Sequence, residues 1–506
     1  MMEYIQKTYG GIGMKNNKKI LMFSSILILL FICIAFVGRE FQNDTFYTIK
    51  IGKSILKHGI DMKDHWSWHS LPYTYPHWLY DVIIYKIYSS FDFNGLYIFN
   101  IICFMIVSLT FYFVNLKLNK SYFLSLLFSI FATIMLAHYA ATRAQLITYI
   151  LFVLEVYFIE RLLSSSNKRY MFFLMIICLL VANLHAAVWP FYFILMLPYL
   201  FENIVCKIKN KFNLNSSSKI FSNRLIIENN QNIKLLLITF IISLFIGLLT
   251  PIGDVPYTYF IKIMQGDTMK YIDEHKPLVL IEDAFVWGYL LILFVTLFFT
   301  KVKVKLSDIC MIFGLVLMSF LSVRHISFLA IIGIFYLCRI MCNIGQITSD
   351  EVLDFDLPAY GIFVVLIVVI VNSLIVYNIN SKKDFISSKV YPVEMVEYMN
   401  KNLDMKKVKL YNEYDFGSYL MFKDIKVYID SRSDLYTKPF NGKFDIFDEC
   451  MKITNNYGRV FKKYKITHIL TYTNTYLNQI LAASPNYKLV HKNDGFALYE
   501  FTKDNN

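Results

Sequence analysis

Apolar residues along this chain come in blocks rather than in amphipathic stripes. Runs at about 20–38, 95–115, 121–138, 145–163, 170–187, 189–206, 233–250, 285–300, 309–323, 326–342 and 359–377 approach or reach the length of a membrane span, which takes roughly 20 residues as a helix. The blocks between 170 and 206 are nearly continuous and need a break, which falls at Asn183-Leu184-His185 ahead of Pro190. The pattern predicts a mainly α membrane protein with about eleven transmembrane helices. Between the first two blocks, 39–94 reads as a long loop. Its segments 44–58 and 77–89 carry a helical period with apolar faces, as helices lying on a membrane surface do.

From about 380 the pattern shortens. Tyr391-Pro392 opens a helix, strand-like runs start at Val408 and Lys426, and a helix covers about 443–464. A strand from Thr467, a short helix, and strands near 487–491 and 496–501 follow. Strands alternating with helices predict a small C-terminal α/β domain with a mostly parallel sheet. The chain thus divides into a polytopic part, 1–379, and a second domain, 380–506.

Composition agrees with the pattern. The 506 residues are 56% hydrophobic and 17% charged, with a mean hydropathy of +0.47, too apolar for an ordinary soluble fold. With the N-terminus in the cytoplasm, the inner segments collect Lys15, Lys18, Lys19, Lys117, Lys120, Arg161, Lys168, Arg169, Lys207, Lys209, Lys211, Lys301, Lys303 and Lys305, as the positive-inside rule expects. The net charge of +13 is then topology signal, and no nucleic acid is needed to explain it. An odd number of spans places residues after about 380 outside. The first block runs on to Phe36-Val37-Gly38-Arg39-Glu40 without a small-x-small cleavage site and reads as a retained signal anchor. The eight cysteines show no disulfide framework and no zinc-type spacing.

This topology puts all ten histidines and all five tryptophans on the outer side. An aromatic belt would occupy both interfaces, so the one-sided bias points to a polar, aromatic site there. The loop 39–94 holds Asp44, Asp61 and Asp64, then His65-Trp66-Ser67-Trp68-His69, then Tyr73-Thr74-Tyr75-Pro76-His77-Trp78. Such a set suits carbohydrate recognition or an anchoring interfacial loop equally. Further outer segments bring Arg143 with Gln145, Asn183 with His185, Arg324-His325, and a loop 251–284 with Asp254, Asp267, Asp273, Glu274 and His275. Ionisable groups at membrane depth usually line a cavity or pathway. Glu155 lies in mid-span, where an internal hydrogen bond or a neighbouring helix is expected to satisfy it.

Taken in order, several segments resemble the GT-C superfamily of membrane glycosyltransferases, in particular the bacterial branch related to protein O-mannosyltransferases and lipid-A aminoarabinose transferases. They are Asp44-Thr-Phe-Tyr with Gly52 and Gly59, Asp64-His-Trp-Ser leading to His77-Trp78-Leu79-Tyr80, Arg143-Ala-Gln and Asn183-Leu-His185. Pro251-Ile-Gly253 before Glu274-His-Lys-Pro277 extends the set. Asn412-Glu-Tyr-Asp-Phe-Gly417 and Tyr428-Ile-Asp430-Ser-Arg432 are similar to the extracytoplasmic domain often attached to such proteins. The resemblance implies a multi-pass cell-membrane enzyme that moves a sugar from a polyprenyl-phosphate donor to a cell-envelope glycan, lipid or protein acceptor, with Asp44 as the catalytic acid of the first outer loop.

The chemistry suits that assignment. A positioned carboxylate can take the proton an acceptor hydroxyl loses as it attacks the anomeric carbon. Cationic groups should meet the charge that develops on the leaving lipid phosphate. Arg143 and Arg324 are the candidates, because guanidinium matches phosphate oxygens bidentately. His65, His69 and His185 are candidate secondary donors, and Trp66, His77, Trp78 and Glu274 complete the expected substrate-binding set. Asp430 and Arg432 are expected to form a structural ion pair. Two departures stand out: Thr45 follows Asp44 where many relatives have a second acid, and Ala144 follows Arg143 where proline is expected. One carboxylate holds a divalent cation poorly, so a metal is left open and no other cofactor is implied. The alternatives are a GT-C-like assembly protein without catalysis and a lipid-linked glycan transporter, against which the odd span count speaks.

Overall fold

The computed structural model describes residues 2–211, 224–348 and 359–502. Each of the eleven apolar blocks lies in helix over most of its length. Among the described residues, six helical segments are long and apolar enough to cross a membrane: Lys19–Phe36, Trp78–Asn119, Tyr122–Tyr139, Ala186–Lys211, Val323–Ile344 and Phe363–Ser381. Shorter apolar helices cover Arg169–Leu184, Ile233–Ile246, Ala284–Phe299 and Leu306–Leu321. Gln145–Ser165 is longer but carries Glu155, Glu160 and Arg161. The chain is a membrane protein.

In chain order, α1 is Met2–Phe36, α2 Asn43–His58, α3 Trp78–Asn119, α4 Tyr122–Leu136, α5 Gln145–Ser165 and α6 Arg169–Leu184. The expected break after α6 is present: the helix stops at Leu184, a 3-10 turn covers Ala186–Val188, and Trp189-Pro190 starts the next helix. The segment expected as a separate surface helix at 77–89 instead runs into the following span. The two meet in α3 at a kink where Asp92 leaves helical geometry (φ 51°, ψ −153°). One residue of left-handed backbone is enough to redirect the axis. Against α3, α2 packs so closely that a Cβ on Gly52 would lie 2.0 Å from the Asp81 carbonyl oxygen.

At the far end of the bundle from the cavity described below, Arg339 donates to Glu160 (2.9 Å) and Asp308 (3.0 Å), and Tyr199 donates to Glu160 (2.7 Å). This network satisfies charges that three helices would otherwise bury alone. Glu155 differs from expectation. It is fully buried, and neither carboxyl oxygen has a hydrogen-bond partner among the described residues.

The C-terminal unit contains a four-stranded sheet with β1 Leu410–Asn412, β2 His468–Tyr472, β3 Tyr487–Lys492 and β4 Phe496–Phe501, in the order β1-β2-β4-β3. Only β1 and β2 are parallel; β2–β4 and β3–β4 are antiparallel. The expectation of a mostly parallel sheet is therefore corrected. Too few residues separate β3 from β4 for a crossover helix, so they close as a hairpin. The run from Lys426 is not a sheet strand either. Its Val427 exchanges backbone hydrogen bonds of 3.0 Å with Trp66 and Trp68 of the first long loop. The expected helix at 443–464 is two helices, Ile446–Met451 and Ile453–Tyr464.

Those contacts make the C-terminal unit part of the membrane domain's own packing. Phe46 of α2 meets the rings of Tyr391, Tyr419 and Phe422 at 5.0, 5.3 and 5.5 Å. Arg432 pairs with Asp430 (2.7 Å) as expected, and also with Asp64 (2.8 Å) of the long loop, all three buried. Burial opposes the Asp64 charge, but Arg432 and Ser67 outweigh it and hold the carboxyl below its usual range. One hydrophobic core runs through both parts.

Candidate active site

At the end of the bundle where α2, α3 and α5 begin, a cavity of about 500 Å³ opens between the helices, the 265–283 loop and the C-terminal unit. Asp44 enters it from the first turn of α2. Its Oδ2 forms an ion pair with Arg143 Nη2 at 2.9 Å, while Oδ1 makes no hydrogen bond to any described residue. Arg143 sits in the turn before α5, where its Nη1 also reaches both Glu274 oxygens at 3.1 and 3.3 Å. Burial works against the Arg143 charge, but Asp44 and Glu274 more than offset it and keep the guanidinium protonated. Glu274 is half-buried, which opposes its charge, yet Arg143 and Arg324 hold its carboxyl below the ordinary range.

Arg324 lies across the cavity in the short turn Val323–His325. Its Nη1 faces His275 Nε2 at 3.3 Å. Arginine can only donate, so Nε2 accepts and His275 Nδ1–H donates to Thr268 Oγ1 (3.1 Å). Burial and the adjacent Arg324 push His275 down to about 4, which fits this neutral tautomer. Arg324 has no acidic partner within ion-pair distance among the described residues, and its Nε and Nη2 donors remain unused. The two arginines therefore differ: Arg143 forms ion pairs with two acids, and Arg324 forms none with any described residue.

His77 and His185 complete one wall. His77 Nδ1–H donates to Asp81 (2.8 Å) and its Nε2 meets the Tyr47 hydroxyl (3.3 Å). Thr148 gives its hydroxyl proton to the Ala144 carbonyl (2.8 Å), so His185 Nδ1–H donates to Thr148 (3.0 Å) and Nε2 is left as an acceptor. The C-terminal unit contributes Asp434, which accepts from the Tyr259 hydroxyl. Burial raises the Asp434 carboxyl above its usual range.

Of the residues expected to touch substrate, Asp44, Arg143, Arg324, His77, His185 and Glu274 line this one cavity. Four others do not. Exposed His65 pairs with Asp61 (2.5 Å). Trp66 lies under the Arg432 guanidinium, 5.2 Å from ring centre to Cζ. His69 Nε2–H donates to the Tyr428 carbonyl oxygen (2.8 Å) and ties the loop to the C-terminal unit. Trp78 Nε1 donates to Asn183 Oδ1 (3.2 Å), fastening α3 to the end of α6. These aromatics and histidines hold the loop and helices together rather than facing the cavity. Sequence reasoning gave no site role to Tyr47, quoted only as the end of Asp44-Thr-Phe-Tyr, and passed over Tyr259 and Asp434.

No family model matches this chain, and no curated protein matches it in sequence. Solved structures do. The archaeal oligosaccharyltransferase AglB from Archaeoglobus fulgidus, in complex with an inhibitory peptide and a dolichol-phosphate, superposes with a TM-score of 0.56 at 9% identity, covering 96% of this chain and 74% of that one. An Archaeoglobus fulgidus oligosaccharyltransferase tethered with an acceptor peptide gives 0.53 at 8% identity over 90% and 69%. The chain has the GT-C fold. ArnT from Cupriavidus metallidurans bound to undecaprenyl phosphate, a member of the same superfamily, aligns at 0.46 and 9% identity over 96% of this chain and 98% of that one.

Around Asp44 the described residues form no preassembled protein cage for a divalent cation. A Ca²⁺-type cage takes six or more oxygen ligands, whereas Mg²⁺ is held through one or two carboxylates with waters and substrate phosphates. Here Asp44 and Glu274 both converge on Arg143. No group of three or more His, Cys, Asp or Glu is placed to share an ion among the described residues.

Proposed function

We propose that the protein is a membrane glycosyltransferase that moves a sugar from a polyprenyl-phosphate donor to an acceptor outside the cytoplasm. The observation that carries this reading is the presence, in one cavity at the end of apolar helices, of Arg324, which has no ion-pair partner among the described residues, and an oriented carboxylate, Asp44. The GT-C fold supports it, and a dolichol-phosphate is bound in the structure of AglB. The distribution of lysine and arginine supports a cytoplasmic N-terminus and a C-terminal unit on the outer side.

In this reading Arg143 fixes the rotamer of Asp44 through Oδ2 and leaves Oδ1 to receive the acceptor hydroxyl's proton. The acceptor oxygen bonds to the anomeric carbon as the bond from that carbon to the phosphate oxygen breaks. The electron pair stays on the lipid phosphate, where the free Nε and Nη2 donors of Arg324 meet it. One direct displacement inverts the anomeric centre. His185 and His77 lie where they can touch sugar hydroxyls, and Glu274 sets Arg143 from behind. Donor sugar and acceptor are left at the level of class.

The test is transfer from radiolabelled polyprenyl-phosphate sugars by the purified protein in lipid nanodiscs, with cell-envelope extract as acceptor. Label appearing in a lipid-free or acceptor-lipid fraction supports the reading. Its absence from a folded preparation across a panel of donor sugars overturns it.

A further inference from the structure

A second cavity, of about 490 Å³, lies in the C-terminal unit beside the first. Ile272, Asp273, Tyr414 and Asp415 line both, so the two adjoin. The volume suits a drug-sized ligand, for which roughly 300–1,000 Å³ is usual. One wall is aromatic: Phe447 meets Tyr271 at 5.9 Å and Tyr414 at 5.3 Å, edge to face. Both tyrosine hydroxyls are spent inside the protein. Tyr271 donates to Asp448 (2.5 Å) and Tyr414 to the Ser431 carbonyl (3.3 Å), which leaves their ring faces as the contact surface.

The charges in this second cavity have one sign. Asp273, Glu413 and Asp415 line it, and no lysine, arginine or histidine does. Asp273 is already paired with Lys276 (2.6 Å) at the surface. Glu413 accepts from Thr471 and from the Tyr472 amide (3.2 Å). Asp415 makes no hydrogen bond to any described residue and stands at the junction of the two cavities. Arg324 gives the first cavity a group that binds an anion, and among the described residues no cationic side chain lines the second.

We infer that the second cavity is the acceptor cleft of the proposed transferase, and that it takes a sugar chain free of phosphate and carboxylate groups. Flat aromatic faces pack against the C–H face of a sugar ring, and carboxylates accept from its hydroxyls. The junction at Asp415 directs such a chain's end toward Asp44, opposite the lipid phosphate. The acceptor assignment rests on the transferase reading; the sugar site itself does not.

Saturation-transfer NMR on the full chain in nanodiscs tests this with three soluble probes. They are a short N-acetylglucosamine oligomer, its de-N-acetylated amine form, and a glycerol-phosphate oligomer of matched length. Saturation reaches the first two and not the third. Thr454 lines the second cavity, and Thr454→Trp, which fills it, weakens binding of the first two by about tenfold or more while polyprenyl-phosphate binding is unchanged. Glycerol-phosphate binding as strong as sugar binding overturns the inference. So does sugar binding indifferent to Thr454→Trp, or no sugar binding by folded protein. Sugar binding that responds to Thr454→Trp in a protein that binds no polyprenyl phosphate refutes the transferase reading and leaves the sugar site standing.

Discussion

Asp44 and Arg143 form a 2.9 Å ion pair that joins the first turn of α2 to the turn opening α5. Glu274 holds the same guanidinium from the 265–283 loop at 3.1 Å. Three segments distant in sequence thus meet on one cation. In Asp44→Asn the side chain keeps its shape and loses its basicity. Transfer should fall by roughly 10²–10⁴-fold, the range for a general base, while polyprenyl-phosphate binding and thermal stability stay close to those of the parent. Full activity in that variant removes Asp44 from the base role.

Arg143→Ala should behave differently from Asp44→Asn. It leaves Asp44 and Glu274 facing each other without their shared cation, and stranding a partly buried charge is strongly destabilising. Thermal unfolding in detergent should shift down for Arg143→Ala. Adding Glu274→Gln to it should restore part of the loss, a non-additivity that a double-mutant cycle reads directly.

Arg324 is the better measure of phosphate binding. Charge-assisted hydrogen bonds contribute about 1.5–3 kcal/mol, so Arg324→Ala should weaken polyprenyl-phosphate binding by roughly 10–150-fold. Arg324→Lys keeps the charge but not the fork of donors and should recover only part. Titration with the unglycosylated lipid phosphate separates this effect from any on the sugar.

The His275 imidazole is held down to about 4 by burial and by Arg324, with Arg143 and His325 adding to the shift and Glu274 opposing it. An unfolded histidine takes up its proton near pH 6.5, whereas the folded one resists until about pH 4. Between those values the unfolded state binds more protons, so stability falls as pH drops from about 6.5 to about 4 and is level above. His275→Gln removes the titration and should flatten that window in a series of thermal melts. The Glu274 and Asp64 carboxyls are held low, so their contributions are lost only in more acid solution, below the ordinary carboxylate range.

Arg432 tests how the C-terminal unit is held. It is buried against Asp64 and Asp430, and its truncation leaves two buried carboxylates unpaired. Arg432→Ala should cost about 3–5 kcal/mol, and limited proteolysis should then cut the long loop near Asp64 or the segment around Arg432 first. Unchanged protease resistance would show that the aromatic contacts at Phe46 are sufficient by themselves.

The order of helices was legible because an apolar run of span length has few other fates, and Pro190 and Asn183 mark a break by local chemistry alone. The C-terminal strands near 487–491 and 496–501 were legible for the same reason. Their pairing was not. Whether strands run parallel depends on how the chain returns between them, and the Lys426 run found its partner in Trp66 and Trp68, some 360 residues away in sequence. Alternating β-branched residues look alike in either setting.

For the site, residue type together with the expected outer side identified the ionisable groups Asp44, Arg143, His185, Glu274 and Arg324. Each is costly near a membrane unless something meets it, so each stood out. Only the tertiary structure decided which of them meet. It gave Arg143 two acidic partners and Arg324 none among the described residues, turned His65, Trp66, His69 and Trp78 away from the cavity, and brought Asp434 and Asp415 into it from the C-terminal unit. The reason is physical. Hydropathy is a property of a segment and can be read along the chain, whereas a charge takes its role from neighbours that the fold alone supplies.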